Sequence, residues 1–100
     1  MPALTPTKAF LNDLDNFRLR GDIYKKTINA LALLENNPFH PGLHLERIVN
    51  DPTAWSIRVD KRYRISIDPE KRNSAGSPQW EEGITLLRVL DHDDLYKHPR

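Results

Sequence analysis

The sequence predicts a single α+β domain over residues 1–100, in which an N-terminal helical hairpin packs on one face of a small, mostly antiparallel β-sheet and a short C-terminal helical turn follows. Three observations predict this fold. Apolar residues recur at helical spacing in the first third of the chain, they alternate with polar residues over residues 55–67, and they occupy both faces of residues 84–90. A chain of 100 residues can bury a core of its own.

The two helices have recognisable start and stop signals. Thr5 can cap the first helix with Pro6 at the first helical position, and Gly21 should break it. Asp22 can cap the second helix, and Pro38 stops it because proline disfavours helix in the preceding residue. The predicted buried stripes are Phe10, Leu11, Leu14 and Phe17 in the first helix, and Tyr24, Ile28, Leu31 and Leu34 in the second.

Residues 55–67 predict a hairpin that brings two arginines together. With residues 60–62 as the turn, Arg58 lies opposite Arg64, whereas a shift of two residues would pair Arg58 with Arg62. Facing guanidinium groups normally destabilise a sheet, but a phosphate between them would relieve the repulsion. Alternatively, a carboxylate neutralises the pair, and the candidates are Asp60, Asp68 and Glu46.

The remaining segments complete the predicted sheet. Residues 43–46 alternate briefly and lead a strand or a loop into it, and residues 84–90 form a central strand because both of its faces are apolar. The polar residues 68–83 predict an exposed excursion, and residues 91–96 a helical turn. Within the excursion, Trp80 either anchors a partner protein or folds back over the sheet edge.

Composition excludes several kinds of chemistry. The chain has no cysteine and therefore no disulfide, thiol nucleophile or cysteine-ligated metal. His40 and His44 have the spacing of a helical zinc site, but Pro41 and Gly42 between them prevent a helix from presenting both rings. We therefore expect no metal and no cofactor. Neither a nucleophile-elbow motif nor a glycine-rich phosphate loop is present.

Charge is informative through its distribution. The net charge of +1 does not by itself indicate a nucleic-acid-binding protein. However, residues 57–64 hold four basic residues against the single Asp60, and residues 91–94 are acidic, which fits a local site. No apolar run approaches membrane-spanning length and residues 1–5 do not resemble a signal peptide, so we expect a cytoplasmic protein without membrane contact.

The order and spacing of several segments resemble those of the RelE/ParE-superfamily toxins of bacterial type II toxin–antitoxin modules. The resemblance runs from Phe10 to Tyr96, and its segments are Asn37-Pro38, residues 42–48, residues 55–59, Tyr63-Arg64-Ile65 and residues 91–96. It implies a compact toxin held by an antitoxin, which in many members cuts mRNA on the ribosome without a metal and in others poisons DNA gyrase. Members usually open with a β-strand, which Pro2 and Pro6 here restrict to a short or edge strand.

Two C-terminal residues are candidates for RNA chemistry. His92 can act as an acid or a base because imidazole exchanges a proton near neutral pH, and a nearby aspartate would favour the proton-donating form; alternatively, it caps or packs at this end. Tyr96 follows His92 by four residues and shares its helical face. It could stack on an unpaired base or orient a phosphate, or it closes the core.

The other candidates lie on the predicted hairpin and the strand before it. Arg58 and Arg64 would clamp the phosphate, and Lys61 and Arg62 at the turn either contact the RNA backbone or are solvated. Two residues on one side of a strand, His44 and Glu46, could supply the general base; alternatively, Glu46 is a surface partner of Arg47 or Arg58.

The leading hypothesis is the toxin of a toxin–antitoxin module, a metal-independent, ribosome-dependent mRNA endoribonuclease that inhibits translation. The alternatives are a non-nucleolytic toxin that poisons DNA gyrase and an inactive toxin-like interaction module. The expected partners are mRNA on the ribosome and a small antitoxin, partly disordered alone, whose acidic or amphipathic segment covers the basic face.

Overall fold

The computed structural model describes residues 2–17 and 21–100 and confirms the predicted α+β class. In this part of the chain, five strands form one sheet in the order β1-β5-β4-β3-β2; β1 is parallel to β5, and the other neighbours are antiparallel. The strands are β1 (Leu4–Pro6), β2 (Glu46–Arg47), β3 (Trp55–Arg58), β4 (Tyr63–Pro69) and β5 (Ile84–Asp91). The helices are α1 (Lys8–Asn16), α2 (Gly21–Asn36) and α3 (His92–Lys97), and 3₁₀ turns occur at Pro41–Leu43 and Trp80–Glu82.

The register of the β3–β4 hairpin is the first of the two that the alternation allowed. Arg58 pairs with Arg64 and Ile57 with Ile65, so the shift of two residues does not occur. The Asp60 carboxylate fixes the turn by accepting hydrogen bonds from the backbone N–H groups of Arg62 and Tyr63, both at 2.8 Å. This Asx-type turn sets the register locally.

The polar face of the hairpin is not solvated, which corrects the expectation of two half-buried strands. Ser56 and Ser66 are 1% and 0% exposed. Helix α3 and the residues after it cover this face, and the Ser66 hydroxyl donates to the Pro99 carbonyl oxygen at 2.5 Å. The sheet is therefore covered on both sides, by α1 and α2 on one and by α3 on the other.

A β-bulge changes which residues of β5 face each layer. Its pairing with β4 shifts between Ser66 and Ile67, so Leu87 has no direct partner. Leu86 and Val89, although three residues apart, consequently both belong to the cluster beneath α1 and α2, while Leu87 belongs to the cluster beneath α3. The prediction of a central strand with apolar residues on both faces is confirmed.

The start of α1 differs from the prediction. Thr7 caps the helix by accepting from the Phe10 N–H at 3.1 Å, and Pro6 instead lies in β1, paired with Leu86. The predicted cap at Thr5 is therefore wrong, because the strand before α1 extends to Pro6. Strand β1 is short and lies at the sheet edge, as the flanking prolines indicated.

The two long helices also differ from prediction at their junction. Helix α1 ends at Asn16, before Gly21, and Gly21 begins α2, so Asp22 lies in the first turn and is not its cap. The connection at residues 18–20 lies outside the described residues. Helix α2 ends at Asn36, as Pro38 predicted. No helix in the described ranges is long and apolar enough to span a membrane.

The buried faces of these helices are partly those predicted. Leu11 and Ile28 are 49% and 41% exposed, against expectation. The buried α2 face passes instead through Thr27, whose hydroxyl donates to the Ile23 carbonyl oxygen at 2.8 Å and is thereby satisfied without water. The remaining predicted stripe residues are buried or half-buried: Phe10, Leu14, Phe17, Tyr24, Leu31 and Leu34.

The excursion between β4 and β5 folds back onto the sheet. Arg72 and Pro78 form a β-bridge, and Trp80 is 5% exposed with its ring edge-on to Trp55 at 5.4 Å between centroids. Trp80 is therefore a core residue at the sheet edge and not an exposed anchor. Burial of two aromatic side chains explains why this polar segment is ordered.

Helix α1 is attached to the sheet by a buried ion pair. The Arg88 guanidinium donates from Nε and Nη2 to the two Asp13 carboxylate oxygens at 2.7 and 2.9 Å, and the Val89 N–H donates to the same carboxylate at 3.2 Å. Asp13 is almost fully buried, so its charge depends on these donors.

We expect Asp13→Ala to destabilise the fold by about 3 kcal/mol, because Arg88 and the Val89 N–H lose a common buried acceptor. The free energy of unfolding from urea titration measures this. Asn12→Ala, an exposed change on the same helix, is the control and should stay within about 0.5 kcal/mol of the parent. Equal stability of the two variants would show that the ion pair does not hold α1.

Candidate functional site

The candidate site lies where α3 crosses the sheet. Helix α3 follows β5 without a loop, since its N-cap Asp91 is the last residue of that strand. The Asp91 carboxylate accepts from the Asp93 N–H at 2.9 Å and from Arg62 Nε at 3.1 Å. The helix start is also bound to the hairpin turn, because the His92 N–H donates to the Arg62 carbonyl oxygen at 2.6 Å. These contacts fix α3 beside the β3–β4 turn.

His92 and Tyr96 form a pair of rings on one face of α3. Their centroids are 4.4 Å apart with 41° between the planes, which confirms that the two residues share a helical face. His92 Nδ1 lies 3.3 Å from the Asp93 carboxylate, and its side chain is 43% exposed. The imidazole therefore has a carboxylate neighbour and access to solvent, as a proton donor to a substrate requires.

Tyr96 connects α3 to the edge strand β2. Its hydroxyl donates to Glu46 Oε1 at 2.9 Å and lies 3.4 Å from the Ser56 hydroxyl. Burial raises the pKa of the Tyr96 hydroxyl, and the Glu46 carboxylate raises it further, against the opposing effects of Ser56 and Arg64. The hydroxyl therefore stays protonated at neutral pH and acts as a hydrogen-bond donor.

Arg58 and Arg64 converge on the backbone of the hairpin turn. The Asp60 carbonyl oxygen accepts from Arg64 Nη1 at 2.5 Å and from Arg58 Nε at 3.3 Å, and Arg64 also donates to the Tyr63 carbonyl oxygen at 3.1 Å. One carbonyl thus receives two guanidinium groups. The positive charge of Arg64 lowers the pKa of the Tyr96 hydroxyl, against the effect of burial, so the two groups lie within electrostatic range of each other.

The three carboxylates considered as neutralising partners have other contacts. Burial would raise the pKa of the Asp60 carboxyl, but the N–H groups of Tyr63 and Arg62, followed by the charges of Lys26 and Arg64, lower it below its usual value. The Asp60 carboxylate forms an ion pair with Lys26 Nζ at 3.7 Å. Asp68 pairs with Arg72 and Arg100, and Glu46 bonds Tyr96. Arg58 and Arg64 therefore donate to backbone carbonyls, and the Asp60 carboxylate interacts with Arg64 through its charge.

His44, Lys61 and Arg62 are placed less centrally. His44 precedes β2 and has a left-handed backbone with φ 48°, as the C-cap of the Pro41–Leu43 turn. It does not share a strand face with Glu46, so that prediction is wrong. Lys61 is exposed at the hairpin turn. Arg62 pairs with Asp91 and lies 5.8 Å from the centre of the Tyr63 ring.

Sequence reasoning missed two contributors to this region. Ser56 reads as an ordinary strand residue, yet its hydroxyl adjoins Tyr96. Arg100 reads as part of a polar tail, yet it forms a bidentate ion pair with Asp51 at 2.8 and 2.9 Å. No local pattern identifies either contact, because both join segments about 40 or more residues apart.

Across the described ranges, no group of three His, Cys, Asp or Glu side chains is arranged to hold a metal ion. The Nδ1 atom of His40 accepts from the Gly42 N–H at 3.0 Å, which uses one potential ligand atom in a local turn. What the site does offer is a carboxylate, a phenol, an imidazole and two guanidinium groups.

We expect Glu46→Gln to lower the titration midpoint of Tyr96 without returning it to the ordinary tyrosine value near 10, since burial remains. NMR of the protein labelled with ¹³C at the tyrosine Cζ measures this, and Tyr96→Phe assigns the signal. An unchanged midpoint in Glu46→Gln would mean that the hydroxyl does not bond this carboxylate in solution.

Comparisons with known proteins identify the fold. No family model and no curated protein sequence matches this chain. Among solved structures, a YoeB/ParE toxin from Agrobacterium tumefaciens is similar with a TM-score of 0.69 and 17% identity, over 90% of this chain and 98% of that one. A chain of the DinJ–YafQ complex from E. coli gives 0.69 and 12% identity, over 95% and 98%.

A copper-bound mutant toxin from Helicobacter pylori is similar with a TM-score of 0.60 and 21% identity, over 95% of this chain and 99% of that one. The three neighbours are covered almost completely, so the likeness includes the whole architecture. Because the sequence identities are only 12–21%, this likeness concerns the fold and not the site residues. This chain therefore has the fold of the RelE/ParE-type toxins.

Proposed function

We propose that this protein is the toxin of a toxin–antitoxin module and that it cleaves mRNA on the ribosome without a metal ion. The observation that supports this most strongly is the continuous line of contacts from Glu46 through Tyr96 to His92, beside the facing Arg58 and Arg64. The proposal is supported because groups that can transfer protons and groups that can bind a phosphate lie on neighbouring elements, α3, β2 and the β3–β4 hairpin.

Metal-independent RNA cleavage has three requirements that these residues meet. The substrate's 2′-OH attacks the adjacent phosphorus and the bond to the 5′-oxygen breaks, which leaves a 2′,3′-cyclic phosphate and a 5′-OH. A base must take the 2′-OH proton, an acid must protonate the departing 5′-oxygen, and cations must stabilise the crowded phosphate.

We assign the base to Glu46 and the acid to His92, with Arg64 and Arg58 as phosphate ligands. Glu46 is preferred to His44 because its carboxylate already reaches the Tyr96 hydroxyl, whereas His44 lies outside the strand. Tyr96 remains a protonated donor that can bond a phosphate oxygen once substrate displaces it from Glu46. Its ring, stacked on His92, also offers a surface for an unpaired base.

Lys61 and Arg62 extend the cationic surface along the hairpin turn and would contact the RNA backbone. The chain as a whole carries a net charge of only +1. Affinity for RNA should therefore come from this local surface and from the ribosome that presents the message, not from a generally basic exterior.

The proposed partner is an antitoxin, and one of the similar folds belongs to a complex, DinJ–YafQ. A groove of about 180 Å³ beside Arg58 has an apolar lining that includes Ala30, Leu33 and Val59, with Lys26 also at its wall. Apolar side chains and carboxylates of a small antitoxin, partly disordered alone, would fit such a groove. An antitoxin segment bound in this groove would draw Arg58 away from the RNA substrate.

Inducible expression with mapping of mRNA 5′ ends tests this function. Growth arrest with new 5′ ends inside translated codons is the expected result, and co-expressed antitoxin should prevent it. Arrest with intact mRNA and accumulated DNA breaks would instead indicate a gyrase poison. Absence of arrest would indicate an inactive interaction module.

His92→Gln should lower the cleavage rate by a factor on the order of 10² because glutamine cannot donate the imidazolium proton. The fold should survive, since the ring is partly exposed and the contact of the His92 N–H with Arg62 involves the backbone. Cleavage of a ribosome-bound message by the purified protein measures the rate. Full activity of this variant would exclude His92 from proton transfer.

Arg64→Ala should abolish toxicity while changing the free energy of unfolding by no more than about 1 kcal/mol, because the lost hydrogen bonds are offset by relief of the repulsion from Arg58. Growth on induction and thermal unfolding measure the two effects. Lys25→Ala, which removes a positive charge from an exposed position of α2, should remain toxic. Loss of folding in Arg64→Ala would make Arg64 a structural residue.

A further inference from the structure

Arg100 joins the segment after α3 to the β2–β3 connection, residues 48–54. Its Nε and Nη2 atoms donate to the Asp51 carboxylate at 2.8 and 2.9 Å, and Nη2 also reaches Asp68 Oδ2 at 3.2 Å. The same Asp51 carboxylate accepts from the N–H groups of Thr53 and Ala54, both at 2.9 Å. Asp51 therefore shapes the connection from inside and binds Arg100 at the same time.

The pair is well suited to hold two segments in a fixed relation. The hydrogen bonds from Arg100 keep the pKa of the Asp51 carboxyl well below its usual range, against the opposing effect of burial, so the carboxylate is charged at neutral pH. The Asp51 side chain is 8% exposed. A two-pronged guanidinium–carboxylate contact in such a position restricts both distance and orientation.

The segments that this pair joins are those that meet at the candidate site. Tyr96 precedes Arg100 by four residues and Glu46 precedes Asp51 by five, so the Tyr96–Glu46 bond and the Arg100–Asp51 pair are two links between the same pieces of chain. Between them, Leu95 and Ile48 lie in one buried cluster. Asp51 is buried, whereas Glu46 and Arg100 are exposed and Tyr96 is half-buried.

We propose that Arg100 is a positioning residue, which through Asp51 fixes α3 relative to β2 and so holds the Tyr96 hydroxyl against Glu46. The expected effect of Arg100 on RNA cleavage rests on the proposed function. The inference that Arg100 positions the Tyr96 hydroxyl does not, because the Tyr96–Glu46 contact can be measured without any substrate.

Arg72 provides a matched control. Its Nη2 donates to Asp68 Oδ1 at 3.2 Å and to the Thr53 carbonyl oxygen at 3.3 Å. Like Arg100, it therefore contacts the Asp68 carboxylate and the β2–β3 connection. It does so from the excursion after β4 and not from the α3 segment. Arg72→Gln therefore removes an arginine contact to Asp68 and to the β2–β3 connection without releasing α3.

The test compares Arg100→Gln with Arg72→Gln in the purified protein by the ¹³C signal of the Tyr96 Cζ. We expect Arg100→Gln to lower the titration midpoint at least as far as Glu46→Gln does, and Arg72→Gln to leave it unchanged. A wild-type midpoint in Arg100→Gln overturns the proposal, as does an equal shift in both variants, which would indicate general loosening.

Cleavage supplies the second readout. Arg100→Gln should lower the rate at least about tenfold, and the double variant with Glu46→Gln should be little slower than Glu46→Gln alone, because coupled residues are not additive. Additive losses would overturn the positioning role. A wild-type protein that cuts no RNA refutes the proposed function, while the Tyr96 titration still decides the role of Arg100.

Arg100→Lys keeps the proposal testable if Arg100→Gln does not fold. Lysine retains the charge but cannot form the two-pronged contact, so the Tyr96 midpoint should fall between those of the wild type and Glu46→Gln. A wild-type midpoint in Arg100→Lys, measured in place of the unfolded variant, would refute the positioning role.

Discussion

The pairing of β3 with β4 is the constraint on which the rest of the structure depends. Ile57 lies opposite Ile65 and Arg58 opposite Arg64, so the apolar set of both strands faces α1 and α2 and the polar set faces α3. A shift by one residue would exchange these sets and leave both layers without a core. The hairpin thus places Arg58 directly opposite Arg64 at the end of the paired strands.

The second layer is held mainly by directed polar contacts. Buried serine hydroxyls, the Tyr96–Glu46 bond and the Arg100–Asp51 pair surround a small apolar cluster of four buried residues: Ile48, Ala54, Leu87 and Leu95. Such contacts specify position more narrowly than apolar burial does, because hydrogen bonds weaken rapidly with angle and distance. A six-residue helix that carries two candidate site residues benefits from this precision.

Charge on this protein is arranged locally. Asp13, Asp51 and Asp68 are engaged by arginines. Arg58 and Arg64, by contrast, donate to a backbone carbonyl, and the charge of the Asp60 carboxylate also acts on Arg64. A chain with a net charge of +1 therefore still brings two guanidinium groups together at one turn.

The sequence by itself determined the fold class, which residues of β3 and β4 share a face, the end of α2 at Pro38 and the shared face of His92 and Tyr96, because each follows from short-range periodicity or turn chemistry. Only the tertiary structure decided that Glu46 meets Tyr96, that His44 lies off the strand, and that Trp80 and the serines are buried. Arg100 is the clearest case. Its partner lies 49 residues away, and chain periodicity carries no information about which distant segments pack together.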